Sequence, residues 1–500
     1  MYKSQKGQQN ILNDARAFGG ELTLDTDNEW VKKAAIIPWD LIEAEYAENF
    51  REMKTGNPAK PARMAIGTLL IQGDYHFSDE RILKEIRMNP YLQHFIGMTE
   101  FTHKAPFDAS TITLFRKRVT TEMLVKINDY IIRLTQQEEA EEEPPKDDPP
   151  GGESTKTDNK PGKGSENKGT LILDAVCTPQ AIRYPTDVSL LNEARELLEK
   201  MVNQGYKSGA WIQKPRTYCR KARKDFLRYA RNRKPSRKDL RRVLKRQLGY
   251  VARDIGYLRD LLKIDEQALP ERMMAQFQTI LLLYEQQREM YEKKTHRVED
   301  RIVSIHQPWV RPIVRGKVTA PVEFGAKVEV ALYDGYVRIE KLSWDAFNEG
   351  TTLIASVERY KKATGRFPTR ILADKVFRTR ENLNFCKEHG IRMNGPKLGR
   401  PPKDKALYHE QCRMERAEAG ERNAIEGTFG TGKSRYGLEY ITTRLQHTSE
   451  VMIHLSFLSM NLQKRLRSLL CDFSKLLFSK ISKFVFSDKL AVLQNVALAQ

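Results

Sequence analysis

Two aspartates sit in apolar runs, where an ionised carboxylate is costly. Asp174 lies inside Leu171-Ile172-Leu173-Asp174-Ala175-Val176, and Asp374 ends Arg370-Ile371-Leu372-Ala373-Asp374. A third acid, Glu426, closes the polar, helix-like stretch Arg422-Asn423-Ala424-Ile425-Glu426. A carboxylate withdrawn from water needs a cation or several donors. Two such acids and a third from a helix suit a hard divalent ion with oxygen ligands, Mg²⁺ first, with Mn²⁺ able to substitute. A pair of such ions about 4 Å apart would clamp the attacking and leaving oxygens of an in-line phosphoryl transfer. On this reading Asp174, Asp374 and Glu426 are metal ligands, not nucleophiles. Arg422 and Glu426, four residues apart, share a helix face. Lys433 falls on that face if the helix continues, which Gly427, Gly430 and Gly432 disfavour. Arg422 and Lys433 would then hold the scissile phosphate. A plain salt-bridged helix explains residues 422–433 taken alone; the two embedded aspartates favour the catalytic reading.

One motif competes. Gly427-Thr428-Phe429-Gly430-Thr431-Gly432-Lys433-Ser434 matches the P-loop pattern letter for letter. A P-loop follows a buried strand and opens a helix whose N-terminus receives phosphate. Here the preceding residues, 414–426, are charged and helical in pattern, so ATP is not expected as a ligand.

The elements that would position the acids can be read from periodicity. After Asp300, residues 322–332 and 336–342 alternate as strands around Asp334-Gly335, a hairpin turn dipeptide. A helix (352–363), a strand (369–373), a helix (379–389), a short strand (391–394), a Gly/Pro/Lys-rich loop (395–403) and a long polar helix follow. The pattern predicts an α/β fold: a mixed sheet with helices on its faces. The strand of Asp174 is separated from the hairpin by a helical insertion over 188–300. Between Lys214 and Arg246 that insertion carries sixteen Lys or Arg against two acids, Asp225 and Asp239. Phosphate-backbone contact is the natural use of such a stripe.

The whole chain, 500 residues with a net charge of +20, points to a polyanionic partner, nucleic acid before membrane. Residues 1–135 read as an all-α domain. Pro61 starts one helix, Ser78 caps another, and Asp108 caps a basic one ending Phe115-Arg116-Lys117-Arg118. This is compatible with a helix-turn-helix DNA reader and equally with a packing module. Residues 136–170 have the composition of a disordered linker. Residues 171–450 form the sheet domain, and 451–500 a helical tail. The five cysteines include no Cys-x-x-Cys pair, so neither a disulfide framework nor a zinc site is expected. No signal peptide or long apolar span is present, so a cytosolic protein with no membrane partner is expected. Trp344 is read as a core or rim residue in preference to a base-stacking one. Asp187 and Glu439 are the acids that could displace a member of the triad.

These segments resemble the DDE transposases of bacterial insertion sequences, the InsH-like group. Leu173-Asp174-Ala175 with Thr186-Asp187 resembles the first-acid segment. Val314-Arg315-Gly316-Lys317 and Glu323-Phe324-Gly325-Ala326-Lys327 resemble the strand region after it. Ala373-Asp374-Lys375 with Arg378 and Asn382 resembles the second-acid segment. Arg422-Asn423-Ala424-Ile425-Glu426-Gly427-x-Phe429-Gly430-x-x-Lys433 resembles the third. The Tyr-Arg-Glu-Lys signature of such enzymes falls on Arg422, Glu426 and Lys433, with Ala419 in the tyrosine's place. The resemblance implies an RNase H-like catalytic fold and Mg²⁺-dependent nicking of an element's ends. It also implies joining of the 3′-hydroxyls to target DNA, an N-terminal module reading terminal inverted repeats, and a homodimeric or larger synaptic complex in the bacterial nucleoid. A catalytically silent DNA-binding descendant, and a nuclease of the same fold, are the alternatives.

Overall fold

The computed structural model describes residue 18 and residues 23–50, 58–142, 167–209, 211–314, 322–396 and 404–469. The N-terminal part is all helical: α1 (Glu29–Ile36), α2 (Trp39–Ala47), α3 (Ala62–Tyr75), α4 (Asp79–Met88), α5 (Pro90–Phe95), α6 (Ala109–Arg118) and α7 (Thr121–Glu142). Local chemistry sets most starts. Pro61 precedes α3, and the Ser78 hydroxyl accepts from the Arg81 N–H to open α4. Asp108 precedes α6 without making a side-chain cap. Helix α7 runs seven residues past the expected boundary at 135, because Gln-Gln-Glu-Glu-Ala-Glu-Glu are good helix formers. The rest of the expected linker, residues 143–166, lies outside the described residues.

Strand β1 (Thr170–Pro179) is followed by four helices of the insertion: α8 (Asp187–Lys207), α9 (Cys219–Ala230), α10 (Arg237–Ile264) and α11 (Glu271–Lys293). These bury their own core, in which Leu198, Val251, Leu258 and Ile280 are inaccessible to solvent. The chain then forms β2 (Arg311–Val314), β3 (Val322–Tyr333), β4 (Tyr336–Ser343), α12 (Leu353–Thr364), β5 (Arg370–Ala373), α13 (Arg380–Glu388), β6 (Arg392–Met393) and α14 (Lys405–Arg435). Asp334 and Gly335 take φ of 51° and 72°, the left-handed pair that a two-residue hairpin turn requires. The last helix, α15, covers residues 446–469.

The sheet runs β2-β3-β1-β5-β6, with β4 also paired to β3. Strand β1 is antiparallel to β3 and parallel to β5, so the sheet is mixed, as expected. It is covered on both faces, which is why β1 reads as a nearly continuous apolar run. Val176, Val330 and Leu332 pack with Ile425 and Phe429 of α14, while Leu171, Leu173 and Ala331 pack with Leu353 and Val357 of α12. A Cβ at Gly325 would collide with the Thr178 carbonyl, so this glycine lets β3 close on β1.

Helix α15 is no appendage. Val451, Leu455, Leu458 and Leu462 enter the N-terminal core, while Ile453 and Phe457 enter the sheet core. Asn461 seals the junction: its side chain accepts from the Val337 N–H at 2.8 Å and donates to Asn128 and to the Val337 carbonyl, each at 2.7 Å. The expected boundary at 450 falls inside this helix, and residues 470–500 lie outside the described residues.

Candidate active site

Strand pairing puts the two aspartates side by side. In the parallel β1–β5 register Leu173 is opposite Ala373, so Asp174 and Asp374 are the next residues on neighbouring strands. Adjacent strands lie about 4.8 Å apart. Asp174 alternates with Ile172 and Val176 and so faces α14. One of its oxygens accepts from the Ala175 N–H at 2.8 Å; the other stands 3.4 Å from Arg422. The same guanidinium lies 3.6 Å from Glu426, so one cation spans a strand acid and a helix acid.

Asp374 is exposed where β5 ends. It caps the 3-10 turn Lys375–Phe377, accepting from the Lys375 N–H at 2.7 Å. Its segment is held from behind. Buried Asn382 donates to the Gly350 and Phe377 carbonyls, both at 2.7 Å. That ties the turn after Asp374 to a second 3-10 turn, Glu349–Thr351. Arg378 secures the far side through the Asn394 and Pro396 carbonyls.

Burial pushes the Asp174 carboxyl above its ordinary value, and the negative charges of Glu349 and Asp374 add to the push; the Ala175 N–H and Arg422 oppose it. Glu349 was not anticipated from sequence. It is paired with Lys327 at 2.7 Å, and only tertiary packing brings it towards Asp174. Nothing near position 349 distinguishes it from any acid at a helix start.

Helix α14 passes unbroken through Gly427, Gly430 and Gly432 to Arg435. The expected interruption does not occur, and the P-loop-like string is helical, its N–H groups engaged within the helix. Lys433 therefore shares the helix with Arg422 and Glu426, but it makes no ion pair with another described residue. Among the described residues, no three His, Cys, Asp or Glu side chains are gathered closely enough to hold a metal ion. The donor chemistry nonetheless fits one. The acids are hard oxygen donors, and Asp174 carries a charge that burial and neighbouring carboxylates leave under-compensated. Arg422 supplies the cation at this point of the site.

Other sequence candidates are placed elsewhere. Asp187 is held by Arg301 at 2.7 Å and by Gln287 at 3.1 Å, at the root of the insertion. Glu439 is exposed beyond α14. Trp344 is buried, donating to Glu450 at 2.7 Å. In the basic helix α6, Arg116 is buried and bonded to Asp79 and Gln72, so it serves packing. By contrast, all sixteen Lys and Arg between 214 and 246 are exposed. The stripe's buried acid, Asp225, ties α9 to α10 through Arg246 at 3.1 Å and Tyr250 at 3.0 Å. Residues 315–317 and the basic loop from 397 to 403 lie outside the described residues.

Residues 371–463 match the family described as "Transposase DDE domain", and residues 21–118 match "Transposase domain (DUF772)". Over these two segments the chain is similar to the DDE transposases of insertion sequences. The chain is also 29% identical over 201 residues to the uncharacterized protein ORF8 in the nfe locus of Rhizobium meliloti, covering 40% of this chain and 83% of that protein. No solved structure matches. The DDE match spans Asp374, Arg422, Glu426 and Lys433, and β1 with Asp174 lies before it. No helix among the described residues is long and apolar enough to cross a membrane.

Proposed function

We propose that this transposase binds the ends of its element, nicks them and joins the freed 3′-hydroxyls to target DNA. Asp174, Asp374 and Glu426 act as ligands of divalent metal, with Arg422 and Lys433 beside them. Supporting this reading above all is the Arg422 bridge, 3.4 Å from Asp174 and 3.6 Å from Glu426, over a strand register that sets Asp374 next to Asp174. Bound Mg²⁺, or Mn²⁺ in its place, would supply Lewis acidity at the attacking and leaving oxygens.

The chain's own residues do the rest. The strand acids present fixed oxygens on a rigid sheet, which keeps them in place without reorganisation. Arg422, between the strand acid and the helix acid, would hold a non-bridging phosphate oxygen. Lys433, about three turns beyond Arg422 along α14, adds a second positive charge along the strand path. The exposed insertion stripe holds the DNA backbone, and the N-terminal helices read the terminal repeats in a dimer or larger assembly. Localisation at the nucleoid follows from this DNA partnership.

The test is Mg²⁺-dependent cleavage and joining of the element's own end DNA, wild type beside Asp374→Asn. Joining by wild type and its loss in a variant that still binds DNA is the expected result. Binding without cleavage by wild type would identify a DNA-binding descendant, and cleavage without joining a nuclease.

A further inference from the structure

The outer side of α14, turned away from the acids, borders a groove of about 430 Å³ between α14, the tip of the β3–β4 hairpin and α15. Gly427, Thr428, Thr431 and Arg435 line it from α14, and Lys464 and Arg467 from α15. From Gly427 to Arg435 the wall extends about 12 Å at 1.5 Å per residue. None of the described lining residues is acidic. Arg435 and Arg467 are exposed, and neither makes an ion pair with another described residue.

The glycines of α14 add an independent observation. Glycine inside a helix costs about 1 kcal/mol relative to alanine, so each one calls for a reason. At Gly432 packing supplies it: a Cβ there would come within 2.7 Å of the Leu438 side chain. At Gly427 and Gly430 a Cβ would meet nothing within 4 Å, so nothing in the described molecule requires them to be bare. Of the two, Gly427 lines the groove, and this bare position beside the Arg435 and Arg467 guanidinium groups suits close approach by a phosphodiester backbone, which presents regularly spaced anionic oxygens.

We infer that this groove is a second DNA-binding track, gripping the backbone of duplex DNA along the outer side of the same helix that carries Glu426. The inference rests on the DNA reading above and deepens it: one helix would carry a catalytic acid on its inner side and a DNA track on its outer side. The Arg435 carbonyl is bonded to the His76 ring at 2.5 Å, which ties this end of the groove to the N-terminal helices.

The experiment measures binding of the full chain to a short mixed-sequence duplex across a fourfold range of KCl. Removing one cation that neutralises a phosphate flattens the plot of log affinity against log salt by about 0.9. Arg435→Gln with Arg467→Gln is expected to flatten the slope by about 1.8, so this variant loses about tenfold less affinity than wild type over that range. Arg435→Lys with Arg467→Lys should restore the slope, which separates charge from folding. A wild-type slope in the Gln pair would overturn the groove assignment alone. Wild-type protein with no salt-dependent duplex binding would overturn the DNA reading and the groove with it.

Discussion

Arg422 stands 3.4 Å from Asp174, reaching from a helix to a strand 248 residues earlier in the chain. Among the described residues Asp174 has no other cation in contact, and burial works against its charge. The pair thus holds the helix of Glu426 over the sheet while leaving the strand carboxylate short of positive charge.

Replacing Asp174 with Asn removes a proposed ligand and also a poorly compensated buried charge. Joining should fall about a thousandfold or more, roughly 4 kcal/mol at 1.36 kcal/mol per decade. In metal-free buffer the melting temperature should stay at or above that of wild type. Strand-transfer rates and thermal melts on the same preparation check both halves. A melting temperature several degrees lower would show that the Arg422 bridge outweighs the burial cost.

A second carboxylate gives the fold a pH dependence. Glu329, on the opposite sheet face, is fully buried and bonded to Thr352, and burial pushes its pKa to about 7. The folded chain therefore keeps a proton that the unfolded chain releases near pH 4.5. Stability falls as pH rises from about 4.5 to about 7, and is flat above that range as far as this group is concerned. The loss is on the order of 3 kcal/mol at 1.36 kcal/mol per unit. Glu329→Gln should abolish that slope and be the more stable protein at pH 8. Urea unfolding at several pH values reads this directly, and parallel curves for the two proteins would disprove it.

Asn382 links the turns that carry Asp374 and Glu349. Asn382→Ala leaves the Gly350 and Phe377 carbonyls without this donor, at a cost of about 1–3 kcal/mol. The larger effect should be on joining, because the second-acid segment loses its anchor. Duplex binding should be unchanged. Equal losses in binding and joining would mean that the residue serves global folding only.

The insertion stripe makes its own prediction. Changing Arg220, Arg223, Lys224 and Arg231, all exposed, to Gln should flatten the salt dependence of duplex binding by about 3–4 if each contacts a phosphate. A change below about 1 would show that this face points away from DNA.

Much of this was legible because it was local. Asp334-Gly335 names its turn and Ser78 names its cap. What escaped the sequence was set by distant contacts. The glycines of α14 argue against a continuous helix on propensity alone. Yet Ile425 and Phe429 bury one side of it against the sheet, and packing outweighs about 1 kcal/mol per glycine. Arg116 lies in a basic run that fits a DNA reader and a packing module equally, and Asp79, 37 residues earlier, settles it for packing. Glu349 becomes a neighbour of Asp174 only once two 3-10 turns are clamped together. Helix α15 reads as a tail because its two apolar sides serve different cores.

The insertion leaves the sheet after β1 and returns before β2, and the ion pair of Asp187 with Arg301, at 2.7 Å, closes its neck. Its hydrophobic interior is its own, and no sheet strand runs through it. It is therefore a cassette: its length and charge can be redrawn, or the whole piece exchanged, without disturbing the register that aligns Asp174 with Asp374. The basic surface of the insertion and the acids of the sheet are thereby free to evolve at different speeds.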